Sequence, residues 1–350
     1  MKLPEAVVRV AGPVDARLDQ LFKDEVDRWS TVDVVLEAPF AALRDYVMAG
    51  GKRLRPAFCY WGFVGAGGDP ADPAVVDAGA ALEMLHTAAL VHDDIIDGSL
   101  RRHGSPTVHV RFEGMHRSKE WAGAAHRFGE GTAILVGDLA LVYSSRLLLG
   151  VPAQAAAVFE EMRLEVNVGQ YLDIVGSAEG VGGDDAVDRA QRIRRYKTAK
   201  YTIERPLHLG AALGAPDRLE ALAGPLSEFA LPLGDAFQLK DDLLGVFGDP
   251  EITGKPVGDD LREGKPTMLA GLAARRDPSF NDGFGDPGLG SDDVARLQAI
   301  IETTGARTEV EAAVAELVSR AERALASLPL IPAAVAALGD LARFVAGRNR

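Results

Sequence analysis

The chain has 350 residues, 47% of them hydrophobic, and 51 acidic against 38 basic side chains give a formal net charge of −13 at pH 7. That composition folds around a large core, as one big domain or two ordinary ones, and its negative charge argues against nucleic acid as a partner, so any anionic ligand must be held by a local basic cluster. The single cysteine, Cys59, leaves no internal disulfide, and no charged stretch followed by an apolar one opens the chain, so a cytoplasmic protein is expected.

Taken from the N-terminus, apolar residues recur at spacings of three and four nearly everywhere. They predict helices over roughly 14–29, 34–48, 53–65, 73–99, 131–149, 152–175, 184–213, 216–248, 265–275, 291–303, 306–327 and 331–347. Clean alternation over strand length is hard to find, so the expected class is all-α. Pro73 falls in the first turn of the fourth helix, where proline is favoured. Several of these helices exceed twenty residues and are largely apolar, which suits a bundle in which a central layer is surrounded on most sides. "GSAEGVGGDD", "GDPEITGKPVGDD" and "RRDPSFNDGFGDPGLGSDD" are rich in Gly, Pro and Asp and read as loops. The longest apolar runs, "FALPL" and "SLPLIPAAVAALG", are too short or too broken by proline to span a bilayer, so no transmembrane segment is expected. No tandem repeat or shift in composition marks a linker, and residues 1–350 are expected to form one domain.

Within the fourth helix, "VHDDIID" sets three aspartates beside apolar neighbours, a costly arrangement unless a cation or a donor compensates it. Asp93 and Asp97 are four residues apart and share a face, their Cβ atoms about 5–6 Å apart, close enough to share a hard cation; Asp94 lies to the side. Alone, such a motif is more often a helix cap or a solvated acidic face. A second cluster changes that weighting: in "FQLKDDLLGVFGD", Gln238, Asp241 and Asp242 fall within one turn of another apolar helix, so two acidic pairs are available to face each other across a bundle. Carboxylates of this kind suit Mg²⁺, which keeps several waters and is completed by phosphate oxygens. The donors that a phosphorylated ligand needs are present as Lys52, Arg53 and Arg55 in "GGKRLRP", Arg101 and Arg102, Lys197 and Lys200, Lys255 and Lys265. Each alone reads as a solvated surface residue; their recurrence beside glycines, prolines and the aspartates is what points to a ligand.

From about Gly50 to Leu269 the chain resembles the trans-isoprenyl diphosphate synthases, the polyprenyl synthetase family of head-to-tail prenyltransferases that includes geranylgeranyl diphosphate synthases. The resemblance runs in order through "GGKRLRP", "LEMLHTAALVHDDIIDGSLRRHGSPTVH", "GQYLD", "YKTAKYTIERP" and "FQLKDDLLGVFGDPEITGKPVGDDLREGKPT". It implies long antiparallel helices around a deep central cavity, a homodimer, and Mg²⁺-dependent condensation of an allylic diphosphate with isopentenyl diphosphate. Three Mg²⁺ ions are implied, bound by Asp93, Asp97 and Asp241 with Asp94 and Asp242 in support. Arg102, Lys197 and Lys255, with Lys265 nearby, match positions that hold the allylic diphosphate. Lys52, Arg55 and His86 match those that grip isopentenyl diphosphate. Thr198 and Gln238 would direct partial negative charge at the carbocation, and the released diphosphate would take the final proton.

The chain departs from the family pattern at two positions. The second of two consecutive substrate-binding arginines is His103, leaving Arg101 as the candidate replacement, and Gly245 stands where many relatives keep a third aspartate in the second motif. Before the first motif, Ala88 and Ala89 occupy positions where short-chain relatives carry bulky aromatics that stop the growing tail; two alanines imply a product longer than fifteen carbons. Geranylgeranyl diphosphate is the expected product, with Leu85, Leu82 and Tyr143 as candidates for the floor of the passage. The alternatives are a farnesyl or longer-chain synthase, a class I terpene cyclase, whose second metal motif differs from "DDLLG", and a non-catalytic partner subunit, in which eroded aspartates would be expected. His92, His109 and His116 follow no metal-ligand spacing and read as structural.

Overall fold

Helices form over nearly every stretch with the three-and-four period, and the computed structural model describes residues 3–102, 104–249 and 257–347. Helix α1 runs Glu5–Ser30, nine residues earlier than its predicted start, with Pro13 inside it. Ala6, Val7, Val10, Val14, Leu18, Leu21 and Phe22 make one buried stripe along it, and that burial outweighs the hydrogen bond proline removes. Helix α2 spans Glu37–Met48, and α3 spans Leu54–Ala66 with every residue except Arg55 buried. Helix α4, Pro73–Ile96, starts under an Asp72 cap whose carboxylate accepts from the Ala74 N–H at 2.9 Å, and it ends before Gly98, which has φ +64°. A two-residue antiparallel hairpin follows, pairing Arg101 with Pro106 and Arg102 with Ser105.

Helix α5, Val108–Ser118, is absent from the sequence expectation because only Val108, Phe112 and His116 mark its buried side. Then come α6, Ala125–Arg146, and α7, Ala153–Glu179. Helix α8, Ala186–Ile193, passes without a break into a π-helical run, Arg194–Glu204, and on into α9, Arg205–Gly214. The twenty-nine-residue α10, Leu219–Phe247, carries Pro225 and Pro232 internally. Helices α11 (Met268–Arg276), α12 (Ser291–Thr303), α13 (Ala306–Leu325) and α14 (Pro332–Ala346) close the chain. The fold is all-α. One large core holds α1 to α7, α9, the first part of α10 and α14; a second, built from α11 to α13, takes Ala236, Leu239 and Val246 from the rest of α10, so this helix belongs to both.

The π-helical run is wedged between two helices at glycines. A Cβ on Gly169 of α7 would lie 2.4 Å from the Lys197 backbone nitrogen, and one on Gly234 of α10 would lie 2.6 Å from the Ala199 Cα. On the α7 side it is also tied by charge. Glu165 accepts from Arg205 at 2.6 and 2.7 Å and from Lys200 at 2.5 Å, in a site closed to most water. Burial alone would raise the Glu165 carboxyl, but the hydrogen bonds from Arg205 and Lys200 prevail and hold it below its ordinary value of 4.5. The stability it contributes is therefore complete above that ordinary value and is lost as pH falls through the depressed one. Glu165→Gln should cost about 3 kcal/mol at pH 7, because it leaves Lys200 and Arg205 only the more distant Glu204, at 3.4 and 4.0 Å. Denaturant melts should show the gap between wild type and variant narrowing as pH falls below 4.5; a gap that does not change with pH would refute this account.

Among the described residues α4 is long and apolar enough to cross a membrane, but 67% of its most apolar window is buried inside the protein. Two apolar rows face outward instead: Leu135, Val142 and Leu149 at seven-residue intervals on and just beyond α6, and Leu164, Val168 and Tyr171 on α7.

Candidate active site

Asp93 and Asp97 stand at the C-terminal end of α4, where the Asp97 N–H donates to the Asp93 carbonyl at 2.8 Å. A helix C-terminus carries partial negative charge, so two carboxylates there are the reverse of a stabilising arrangement and call for cations. Asp97 is pushed up to about 6, first by loss of water around it and then by the charge of Asp93, while Lys197 and Lys265 act in the opposite sense. Asp93 accepts from Gln170 at 2.9 Å and from Lys197 at 3.3 Å, and the same ammonium is bound by Asp173 at 2.5 Å. Gln170 and Asp173, three apart on α7, lie in "GQYLD", a stretch whose sequence alone gives neither a role; their spacing on one face is the available signal.

Asp94 points the other way. It is buried and accepts from the Tyr46 hydroxyl at 2.6 Å and from Arg102 Nε at 2.7 Å, so it fixes the guanidinium, which lies 3.8 Å from Asp93. The hairpin supplies Arg102 to this bond and turns Arg101 back to the Gly104 carbonyl. On the facing helices the Thr198 hydroxyl donates to the Gln238 amide oxygen at 2.7 Å, and the Gln238 amide nitrogen donates to Asp242 at 2.8 Å. Asp242 is buried one residue after Asp241 and is pushed up to about 7, by burial above all, against the bond from Gln238 and with the charges of Asp260 and Asp241 adding to the rise. Lys265 binds Asp260 at 2.8 Å and Glu263 at 2.7 Å.

A second basic group gathers around Tyr201. The Arg55 guanidinium lies 4.3 Å from the centre of its ring and donates to Thr202 at 3.0 Å, and the Tyr201 hydroxyl meets His86 Nδ1 at 3.3 Å. Arg55 Nε is buried with no hydrogen-bond partner, which fits a site that awaits an acceptor. Lys52 reaches across to the Phe344 ring of α14 at 5.5 Å. Arg53 is a correction to the donor set: it is buried at φ 49° and bound to Glu83 at 2.6 Å, Asp15 at 2.8 Å and the carbonyls of Val47 and Gly50, so it closes the α2–α3 junction. Lys200 is likewise taken by Glu165. His103 and Lys255 lie outside the described residues. Ala88 is fully buried and Ala89 half-buried, while Leu82, Leu85 and Tyr143 are buried, the tyrosine donating to Glu25 at 2.7 Å. His92 and His116 bond to backbone carbonyls and His109 to Thr107.

Among the described residues no three acidic, histidine or cysteine side chains form a ready metal cage. Hard oxygen donors in ones and twos at helix ends, beside several cations, instead match a magnesium ion that shares its shell with a diphosphate.

The family model described as polyprenyl synthetase matches residues 37–303. The chain is 33% identical over 299 residues to a geranylfarnesyl diphosphate synthase of Aeropyrum pernix, covering 82% of this chain and 86% of that one. It is 31% identical over 313 residues to a (2E,6E)-farnesyl diphosphate synthase of Mycobacterium bovis, covering 85% and 80%. A crystal structure of a geranylgeranyl pyrophosphate synthase from Corynebacterium glutamicum, complexed with isoprenyl diphosphate and magnesium, superposes over all of both chains with a TM-score of 0.88 and 37% identity.

Proposed function

Given that the chain belongs to the polyprenyl synthetase family and is a prenyltransferase that makes trans-prenyl diphosphates, we propose that it joins isopentenyl diphosphate to an allylic diphosphate to form geranylgeranyl diphosphate. The observation that carries this reading is the junction at the π-helical run. Lys197 sits between Asp93 and Asp173, and its neighbour Thr198 begins the bond chain through Gln238 to Asp242, so cation, both aspartate motifs and two aimed dipoles meet over two consecutive residues. Three Mg²⁺ ions held by Asp93, Asp97 and Asp241, with Asp242 in support, would neutralise the departing diphosphate. Lys197 and Arg102 hold the allylic diphosphate, with Lys255 and Lys265; Asp94 serves by keeping Arg102 in place. Lys52, Arg55 and His86 hold isopentenyl diphosphate. The Thr198 and Gln238 oxygens face the allylic cation, and the freed diphosphate takes the proton.

The names of the relatives span three chain lengths and do not select a product. Small residues at Ala88 and Ala89 support twenty carbons over fifteen. The outward apolar rows on α6 and α7 support a homodimer, and the lone cysteine, buried in α3, accords with a cytoplasmic enzyme. The test is incubation with Mg²⁺ and farnesyl diphosphate, with and without isopentenyl diphosphate, followed by product mass. A twenty-carbon diphosphate formed only with both substrates is expected. A hydrocarbon formed from the allylic substrate alone would identify a cyclase, and no turnover would identify a partner subunit.

His103 gives a separate prediction. It offers an imidazole where a guanidinium, always charged and with a fork of donors, would bind diphosphate, and Arg101 is engaged with the Gly104 carbonyl. His103→Arg should lower the KM for isopentenyl diphosphate about tenfold, the worth of one added charge-assisted bond, with little change for the allylic partner. An unchanged or raised KM would mean that the site is already complete.

A further inference from the structure

We infer that the protein has a second binding site, separate from the aspartate motifs: a groove for a small phosphomonoester with an aliphatic tail. It lies where α10, α13 and the start of the π-helical run meet, and its volume of about 650 Å³ is that of a small-molecule site. Leu231, Pro232, Leu317 and Ala324 give it apolar walls, while Arg195, Arg320 and Arg323 supply guanidiniums. The groove follows the seam between the two cores. Leu233 and Ala324 pack with the first, whereas Ala236 and Leu317 pack with the second.

The charges around it suit an anion. Arg194 and Arg195 both bind the buried Asp235, at 3.4 and 2.5 Å, so two guanidiniums share one carboxylate. Arg323 donates to Ser319 at 2.6 Å and to Glu316 at 3.1 Å. Arg320 has no hydrogen bond or ion pair among the described residues. With Glu228 on the rim, four guanidiniums stand against three carboxylates, a local positive excess in a chain of net charge −13. Forked donors on several arms match the three terminal oxygens of a phosphomonoester better than the two of a carboxylate, and the apolar walls take its tail. The groove is also linked to the chemistry. Arg195 precedes Lys197 by two residues, so the two side chains leave the π-helical run on nearly opposite faces, one toward the groove and the other toward Asp93 and Asp173. An anion that takes Arg195 leaves Asp235 to Arg194 and pulls on the backbone that carries Lys197 and Thr198. Occupancy therefore weakens the hold on the allylic diphosphate, a consequence that rests on the functional reading above.

The first test is isothermal titration calorimetry of the full-length protein in EDTA, which denies the aspartate motifs the cation a phosphate needs there. Octyl phosphate should bind at one site, at least about tenfold more tightly than inorganic phosphate. Arg320→Glu/Arg323→Glu should weaken octyl phosphate at least about tenfold. Ala324→Phe, which fills the groove without altering a charge, should abolish the advantage of the tail; thermal melts establish that each variant is folded. The second test is turnover with Mg²⁺ and both substrates. Octyl phosphate should raise the KM for the allylic diphosphate about fivefold or more in the wild type and leave it unchanged in the double arginine variant. No binding by the wild type, or wild-type affinity in both folded variants, would overturn the groove site. Inhibition that persists in the double variant would place octyl phosphate at the aspartates and overturn the link. The calorimetry needs no turnover, so failure of the enzymatic reading would leave its outcome standing.

Discussion

Asp93→Ala and Asp241→Ala are each expected to lower condensation at least about 10²–10³-fold at saturating substrate, the scale on which losing one stabiliser of developing charge is felt. For Asp93 the loss is compound. Its carboxylate receives Gln170 and Lys197 and lies 3.8 Å from Arg102, so removing it takes away a proposed metal ligand and frees two cations from their shared anchor. Folding should survive, because Lys197 keeps Asp173, Arg102 keeps Asp94, and neither aspartate fills core volume. Circular dichroism melts beside turnover at limiting Mg²⁺ separate the two effects. Near-wild-type condensation by either variant would contradict the assignment, and collapse of the melt would recast Asp93 as a structural residue.

The second large effect concerns product length. Ala89 lies one turn before Asp93, about 6 Å along the helix at 1.5 Å per residue, and Ala88 about 7.5 Å. Phenylalanine at either should shift the product of an active enzyme from twenty carbons toward fifteen or ten, read by mass after dephosphorylation. The two sites should differ in stability. Ala88 is fully buried, so a ring there must displace neighbours at about 1–3 kcal/mol, whereas Ala89 is only half-buried and a ring there should cost less. An unaltered distribution in both variants would mean that the tail leaves by another route.

The helical class and most helix positions were legible because apolar periodicity repeats over many turns, and they failed where that signal was thin or opposed. Helix α5 shows only three buried side chains, and Pro13 hides a helix that core contacts sustain. At the site, residues carrying formal charge in known motifs stood out, while those that orient them did not. Tyr46, Tyr201 and Asp173 act across 48, 115 and 24 positions of chain, distances over which spacing carries no information. Arg53 and Arg55 look alike in "GGKRLRP"; only their partners in the fold separate the one that closes a junction, bound by Glu83 and Asp15, from the one with a spare buried nitrogen. The approach of Asp260 to Gly245 is hidden for the same reason, since only the fold brings the two together.

The run from Arg194 to Glu204 sets a rule about length rather than composition. An α-helix advances 100° for each residue, so deleting one residue from this run, and letting it tighten toward α geometry, would rotate everything beyond the deletion by about that angle. Lys197 and Thr198 could then keep their faces only if Arg205 gave up Glu165, or the reverse. Substitutions here should have graded effects. A single-residue deletion or insertion should be all-or-none, which makes the number of residues in these eleven positions a constraint separate from their identity.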